Sequence, residues 1–227
     1  MNLKAVPHLR AASFFRLVTK YRHALQIGNE FYRQNDYDKG HLTRRKDICW
    51  GTYEEAARAN YDSFCYANIA LQHHSFNTGI WNCLEDWILS RMKEPNRLLV
   101  YTGPILKEED EEYCGVQGEP GCQVKVPFGF WKTVFFLQEN TEITCLSFLI
   151  RQTPDRLQGD CGYQRLATYQ VPLSTITEQA EVNFRPELYE RNPLLVRAVD
   201  ADRRGETKRP IRQEAVVINN LEDIRLA

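Results

Sequence analysis

Asp38-Lys39-Gly40-His41, and further along Phe76-Asn77-Thr78-Gly79-Ile80-Trp81-Asn82-Cys83-Leu84-Glu85, are the two stretches on which the reading of this chain turns. Glycine permits a sharp local backbone, which at Gly40 would push the next side chain, His41, into a cleft. A neutral imidazole near pH 7 accepts a proton from water. Lys39 beside it can neutralise charge that builds on a phosphate, and Arg44, Arg45 and Lys46 extend the positive surface. Asn77 opens a strongly helical stretch. Its amide oxygen is a hard, neutral ligand suited to Mg²⁺ yet too weak to saturate it, so coordination positions stay open for phosphate oxygens. Glu85 lies two turns further on the same helix, placed to hold a water on such a metal. Each residue also has a plainer reading: a surface or core histidine, an N-cap asparagine, a solvated helix carboxylate.

Working outward, apolar residues Ile80, Leu84, Trp87, Ile88 and Met92 form one stripe, which predicts a helix over residues 78–93, stopped by Pro95. Residues 37–42 read as a turn or short strand, 54–61 as an Ala-rich helix and 63–71 as an aromatic strand. A strand over 97–102 ends at Gly103-Pro104, and an acidic, Gly-rich loop covers 107–122. Paired strands are expected over 132–137 and 143–150, with a further short strand at 171–173. Phe14, Leu17, Val18 and Tyr21 predict that the first thirty residues are mainly helical. From about residue 183 the chain is polar and irregular, with a loop at Arg203-Arg204-Gly205. Helices and strands do not alternate strictly, so the fold class is α+β, an antiparallel sheet with packed helices.

The length, 227 residues, fits one domain: a basic N-terminal segment over about 1–30, a core over about 31–175 and an irregular region over about 176–227. A formal net charge of −1 excludes a globally basic nucleic-acid coat. Positive charge is instead local, at the N-terminal segment and Arg44 to Lys46, while acid gathers at residues 108–112, a polarity suited to holding a polyanion on one side. No stretch is apolar enough to span a bilayer. The first residues lack the apolar run of a secretion signal, so the expectation is a cytoplasmic protein, or one exported by a signal-less route. Seven cysteines without a Cys-x-x-Cys pair give no support to structural zinc, and reduced thiols are expected; Cys114 and Cys122 bracket a loop they would close in an exported protein.

These stretches resemble the DNA/RNA non-specific endonucleases, the His-Me finger or ββα-metal nucleases. That family's signature is Asp-Arg-Gly-His, an Asn-rich strand ending in Gln, then Asn-x-x-x-x-Trp-x-x-Leu-Glu on a helix. Asp38-Lys39-Gly40-His41 is similar to the first, with Lys39 for arginine. Ala67-Asn68-Ile69-Ala70-Leu71-Gln72 is similar to the second, and Asn77, Trp81, Leu84 and Glu85 to the third. The flanks agree at Gln26 to Glu30, Leu42 to Arg45, Trp50-Gly51, Val100 to Pro104 and Pro127 to Lys132.

The resemblance implies a ββα-metal active-site motif and a Mg²⁺-dependent endonuclease, Mn²⁺ serving as an alternative, that cuts DNA and RNA with little sequence preference and leaves 5′-phosphates. His41 would be the general base and Asn77 the direct protein ligand of the metal. Glu85 would hold water on that metal, and Lys39 would bind phosphate as a point charge. Asn68 and Gln72 would shape the substrate site, Arg44 and Arg45 would extend it, and Arg10 would take the part of an upstream phosphate-binding arginine. Asp38 and Trp81 read as structural. A homodimer is common in the family. A nuclease active in its own cell also calls for an inhibitor, signal-less export or an activating partner. The competing class is a nuclease fold that has lost turnover and only grips nucleic acid or a protein partner.

Overall fold

The computed structural model describes residues 15–18, 27–91, 98–118, 121–137, 142–152, 168–192, 194–196, 211–212 and 215–226. The chain divides into two compact units that share it in alternation. The first holds Met1–Glu94, Leu106–Phe128 and Gln152–Cys161; the second holds Pro95–Ile105, Gly129–Arg151 and Gly162–Ala227.

In the first unit, strands β1 (Tyr37–His41) and β2 (Ile69–His73) pair antiparallel, Asp38 opposite Gln72 and His41 opposite Ile69. Between them run a single helical turn α1 (Arg45–Ile48) and helix α2 (Tyr53–Ser63). The start of α2 is fixed by a reciprocal cap: the Thr52 hydroxyl accepts from the Glu55 amide, and the Glu55 carboxylate accepts from the Thr52 amide. The strand expected over 63–71 begins only at Ile69, because Ser63 still closes α2 and a 3₁₀ turn, Tyr66–Asn68, intervenes. Asn68 holds that turn: its amide exchanges two hydrogen bonds of 2.9 Å with the Thr43 backbone and donates to the Ser63 carbonyl.

After β2 the chain enters a helix earlier than its apolar stripe suggests. A turn α3 (His74–Phe76) leads through a wide π-turn, Asn77–Trp81, into α4 (Asn82–Ser90). Gly79 leaves helical dihedrals (φ −95, ψ −115), which unwinds the turn behind Asn77. Asn77 itself is αR, inside the helical segment, so it is not an N-cap. Ile80, Leu84 and Ile88 are buried as their spacing requires, with Trp81 stacked on Phe76 at 5.6 Å. β1, β2 and α4 form the ββα arrangement that the sequence resemblance implies. The N-terminal helix is corrected where the chain is described: Arg16 is extended and forms a parallel bridge to Cys65, its amide donating to the Phe64 carbonyl. Phe14, Tyr21 and Arg10 lie outside the described residues.

The acidic loop of this unit carries a Cys114–Cys122 disulfide, and Cys83 is disulfide-bonded as well, which corrects the expectation of reduced thiols. Gln152 returns to this unit from a distance of 79 residues. Its Oε1 accepts from the His73 amide at 2.6 Å, and its Nε2 donates to the carbonyls of Leu71 and Pro127, so it pins the outer edge of β2.

The second unit is an antiparallel five-stranded sheet in the order β3 (Leu99–Ile105), β4 (Gly129–Leu137), β5 (Ile143–Arg151), β6 (Thr168–Val171) and β9 (Val216–Val217). Its core is the near-continuous apolar run of β4 and β5, with Phe130, Phe148 and Ile150 fully buried. Residues 171–173, expected as a strand, instead end β6 and start helix α5 (Leu173–Ala180). Pro172 cannot extend the ladder, and Leu173 and Ile176 turn inward three apart. The C-terminal region is more regular than its polarity suggests. It contains a 3₁₀ stretch, Pro186–Arg191, a ribbon of β7 (Leu195–Val196) and β8 (Ile211–Arg212), and the edge strand β9. Arg203 to Gly205 lie outside the described residues.

Candidate active site

A cavity of about 320 Å³ in the first unit is lined by His41, Arg44, Asn77, Thr78, Asn82 and Glu85. Strand β1 delivers His41 at its end, the segment after it delivers Arg44, the π-turn delivers Asn77 and Thr78, and α4 delivers Asn82 and Glu85. Residues far apart in sequence meet because β1 and β2 pair in a register that starts α3 beside Asp38.

Gly40 has ordinary strand pairing, opposite Ala70, and none of the positive φ that marks Gly51, Gly115 and Gly121. Its glycine is needed for space: a methyl group here would overlap the amide of Gln72, which is fully buried. This replaces the sharp backbone expected at Gly40. Gln72 lies outside the cavity lining, and neither of its amide atoms has a hydrogen-bond partner among the described residues.

The His41 ring lies 5.6 Å from Phe15 and 5.2 Å from Phe64, centroid to centroid. The Lys39 backbone offers the ring a hydrogen-bonding partner, while Nε2 is buried with no hydrogen-bond partner among the described residues. Burial lowers the imidazole pKa, the Lys39 bond opposes this, and the Arg45 charge lowers it further. The ring is thereby kept neutral and basic at neutral pH.

Asn77 donates from Nδ2 to Asp38 Oδ2 at 2.8 Å, which leaves Oδ1 as its acceptor atom at the cavity. Asp38 also bonds His74 Nδ1 at 3.0 Å, so this carboxylate orients the asparagine from behind. Glu85 is 5 % exposed and Arg44 only 8 %, and they form an ion pair of 3.6 Å. Burial would lower the Arg44 pKa, but the charges of Asp47 and Glu85, with hydrogen bonds to Asp47 and Asp86, outweigh it and raise it.

A family model described as DNA/RNA non-specific endonuclease matches residues 7–191. The chain belongs to this nuclease family. An uncharacterised protein, y4fB, of Sinorhizobium fredii (strain NBRC 101917 / NGR234) is 30% identical over 183 residues. The match takes in 72% of this chain and 26% of that protein, so the chain spans about a quarter of its relative's length. Among solved structures, a chain of the EndoG/EndoGI complex, reported for the mechanism of EndoG inhibition, shares the fold with a TM-score of 0.59. It is 20% identical, over 81% of this chain and 72% of that one.

Of the residues singled out in the sequence, His41, Asn77, Glu85 and Arg44 meet at the cavity, and Lys39, Arg45, Asn68 and Gln72 are described but do not line it. Lys39 does not line it: its Nζ donates to Asn29 Oδ1 at 2.6 Å and lies 4.8 Å from the Phe15 ring centroid. Burial and the neighbouring Arg33 lower the Lys39 pKa. Arg45 donates from Nε to Asn60 in α2, and Asn68 braces the Thr43 backbone. Arg10 lies outside the described residues. Sequence reasoning missed Thr78 and Asn82 on the lining, the Asp47 and Asp86 partners of Arg44, and Gln152 behind β2. Asp47 stands one turn from Arg44 and Asp86 adjoins Glu85, so both carried a local signal; Gln152 carried none.

Proposed function

We propose that this chain is a divalent-metal-dependent endonuclease that hydrolyses phosphodiester bonds of DNA and RNA, with His41 as general base. The observation that carries this reading is the Nε2 of His41, buried and without a hydrogen-bond partner among the described residues, on a ring that shares its cavity with Asn77 and Glu85. Such a nitrogen is a poor structural element, since burial without a hydrogen bond is costly, and a good proton acceptor.

The residues fit a hard cation. Asn77 keeps its amide oxygen for a ligand because Asp38 takes the amide nitrogen, and Glu85 adds a buried carboxylate to the same cavity. Mg²⁺, or Mn²⁺, held through Asn77 Oδ1 would supply positive charge against phosphate oxygens. His41 accepts the proton of the attacking water at Nε2, and Glu85 orients water within the cavity. The bond to the 3′-oxygen breaks, leaving a 5′-phosphate and a 3′-hydroxyl. Contacts to phosphate and not to base edges make sequence and sugar matter little. Affinity then falls steeply with salt. The Cys114–Cys122 disulfide fits an oxidising compartment, so export is our reading in preference to the cytoplasm.

The test is cleavage of plasmid DNA and of RNA with Mg²⁺ by the wild type, by His41→Ala and by the wild type in EDTA. Cleavage of both substrates by the first alone supports the reading. A wild type inert across metals and salt concentrations, yet retaining nucleic acid on a gel, points to a nuclease fold that only binds.

A further inference from the structure

Arg44 was expected to grip substrate, but its surroundings suit another task. Its Nη1 donates to Asp86 at 2.6 Å, and its Nε and Nη2 donate to one Asp47 oxygen at 3.0 and 2.9 Å. Nη2 also donates to the backbone carbonyl of Glu85 at 3.0 Å, and Nε pairs with the Glu85 carboxylate at 3.6 Å. The guanidinium thus clasps Glu85 by both its main chain and its side chain. The Arg44 side chain is 9% exposed and that of Glu85 6%. Burying a carboxylate this deeply is costly unless it is paired, and Arg44 is a cation that pairs with it.

The charge count decides between gripping and positioning. Among the described side chains that pair with Arg44, one guanidinium faces three carboxylates, a formal charge of −2, or −1 with the Lys46 amine 3.9 Å from Asp86 included. A net negative cluster repels a phosphate and attracts a cation. We propose that Arg44 is a positioning residue that holds Glu85 in place for a divalent cation at Asn77, and that it does not bind the nucleic-acid backbone. This rests on the metal-site reading above. Planar, multi-donor geometry is what lysine cannot reproduce, so Arg44→Lys is the discriminating change.

The experiment measures Mn²⁺ binding by calorimetry on the whole protein without nucleic acid, and affinity for a labelled oligonucleotide in EDTA. The variants are Arg44→Lys, Glu85→Gln, their double, Asp86→Asn and Asn77→Ala. Expected are a loss of Mn²⁺ affinity of about tenfold or more in Arg44→Lys, the usual scale for a residue that orients a metal site, and a smaller loss in Asp86→Asn. No further loss is expected when Arg44→Lys is added to Glu85→Gln, and oligonucleotide affinity stays at the wild-type value. Asp86 is exposed, so its variant keeps the question answerable if Arg44→Lys fails to fold. Unchanged Mn²⁺ binding with weakened oligonucleotide binding in Arg44→Lys overturns the proposal and makes Arg44 a phosphate contact. Additive losses in the double variant overturn it too. Asn77→Ala is read separately: if it leaves Mn²⁺ binding intact, the metal-site reading has failed, and the Arg44 proposal falls with it.

Discussion

Three influences act on the His41 imidazole, the base in the function proposed above: burial, the Lys39 backbone and the Arg45 charge. Burial and Arg45 both disfavour the imidazolium, so the neutral ring persists to lower pH than the ordinary 6.5. The rate should therefore rise with pH through a midpoint below 6.5 and then level off. Removing the Arg45 charge takes away one lowering influence, so Arg45→Gln should move that midpoint to higher pH; a profile unmoved or moved the other way counts against this role. Gly40 gives a stability test at the same scale. Gly40→Ala should cost about 1–3 kcal/mol by overpacking Gln72, read by urea denaturation, and Gln72→Ala should recover part of that loss. An equal loss in both backgrounds would show that the overlap is not the cause. Three residues of the cavity were legible in the sequence: His41, Asn77 and Glu85 were named from their chemistry together with the family resemblance, and they share the cavity. Side-chain direction was not. Lys39 and His41 stand on the same strand face, yet only the latter reaches the cavity, because Asn29 and Phe15 hold the amine elsewhere.

Among the elements, those with a clean period were readable and those defined by long-range contacts were not. The stripe of Ile80, Leu84 and Ile88 located α4, and the apolar runs of β4 and β5 located the paired strands. The true helix start at His74 escaped because the π-turn at Gly79 breaks the 3.6-residue period just where Asn77 sits. Of the predicted segment only Ile69 to Leu71 enter β2, because Asn68 bonds the Thr43 backbone 25 positions away and the backbone of Phe64 and Tyr66 bonds Arg16. The disulfide loop is locally constrained. Its cross-link closes a separation of eight residues, and cross-strand bonds from Tyr113 to Val124 and from Val126 to Glu111 tie its base. The chain-entropy cost restored on opening a loop of this length is about 2–3 kcal/mol. Cys114→Ser with Cys122→Ser should lower unfolding stability by that amount in guanidinium titrations. No change would mean that the base alone sets the loop.

At the scale of the molecule, the chain passes between its two units five times, after Glu94, Ile105, Phe128, Arg151 and Cys161. Every proposed catalytic side chain lies within Met1–Glu94, yet the unit that contains them also needs residues 106–128 and 152–161. Gln152 shows why, since its amide satisfies the His73 and Leu71 backbone groups of β2. A fragment of residues 1–94 should thus be unfolded by circular dichroism and inactive, and mixing with residues 95–227 should restore both signals. A folded, active 1–94 fragment would contradict this. The interleaving also bears on inheritance. A genetic crossover anywhere near the middle of this gene separates segments that must fold together, so recombinants between diverged relatives would break both units at once. Point substitution leaves the interleaved order of segments intact, which such a crossover does not.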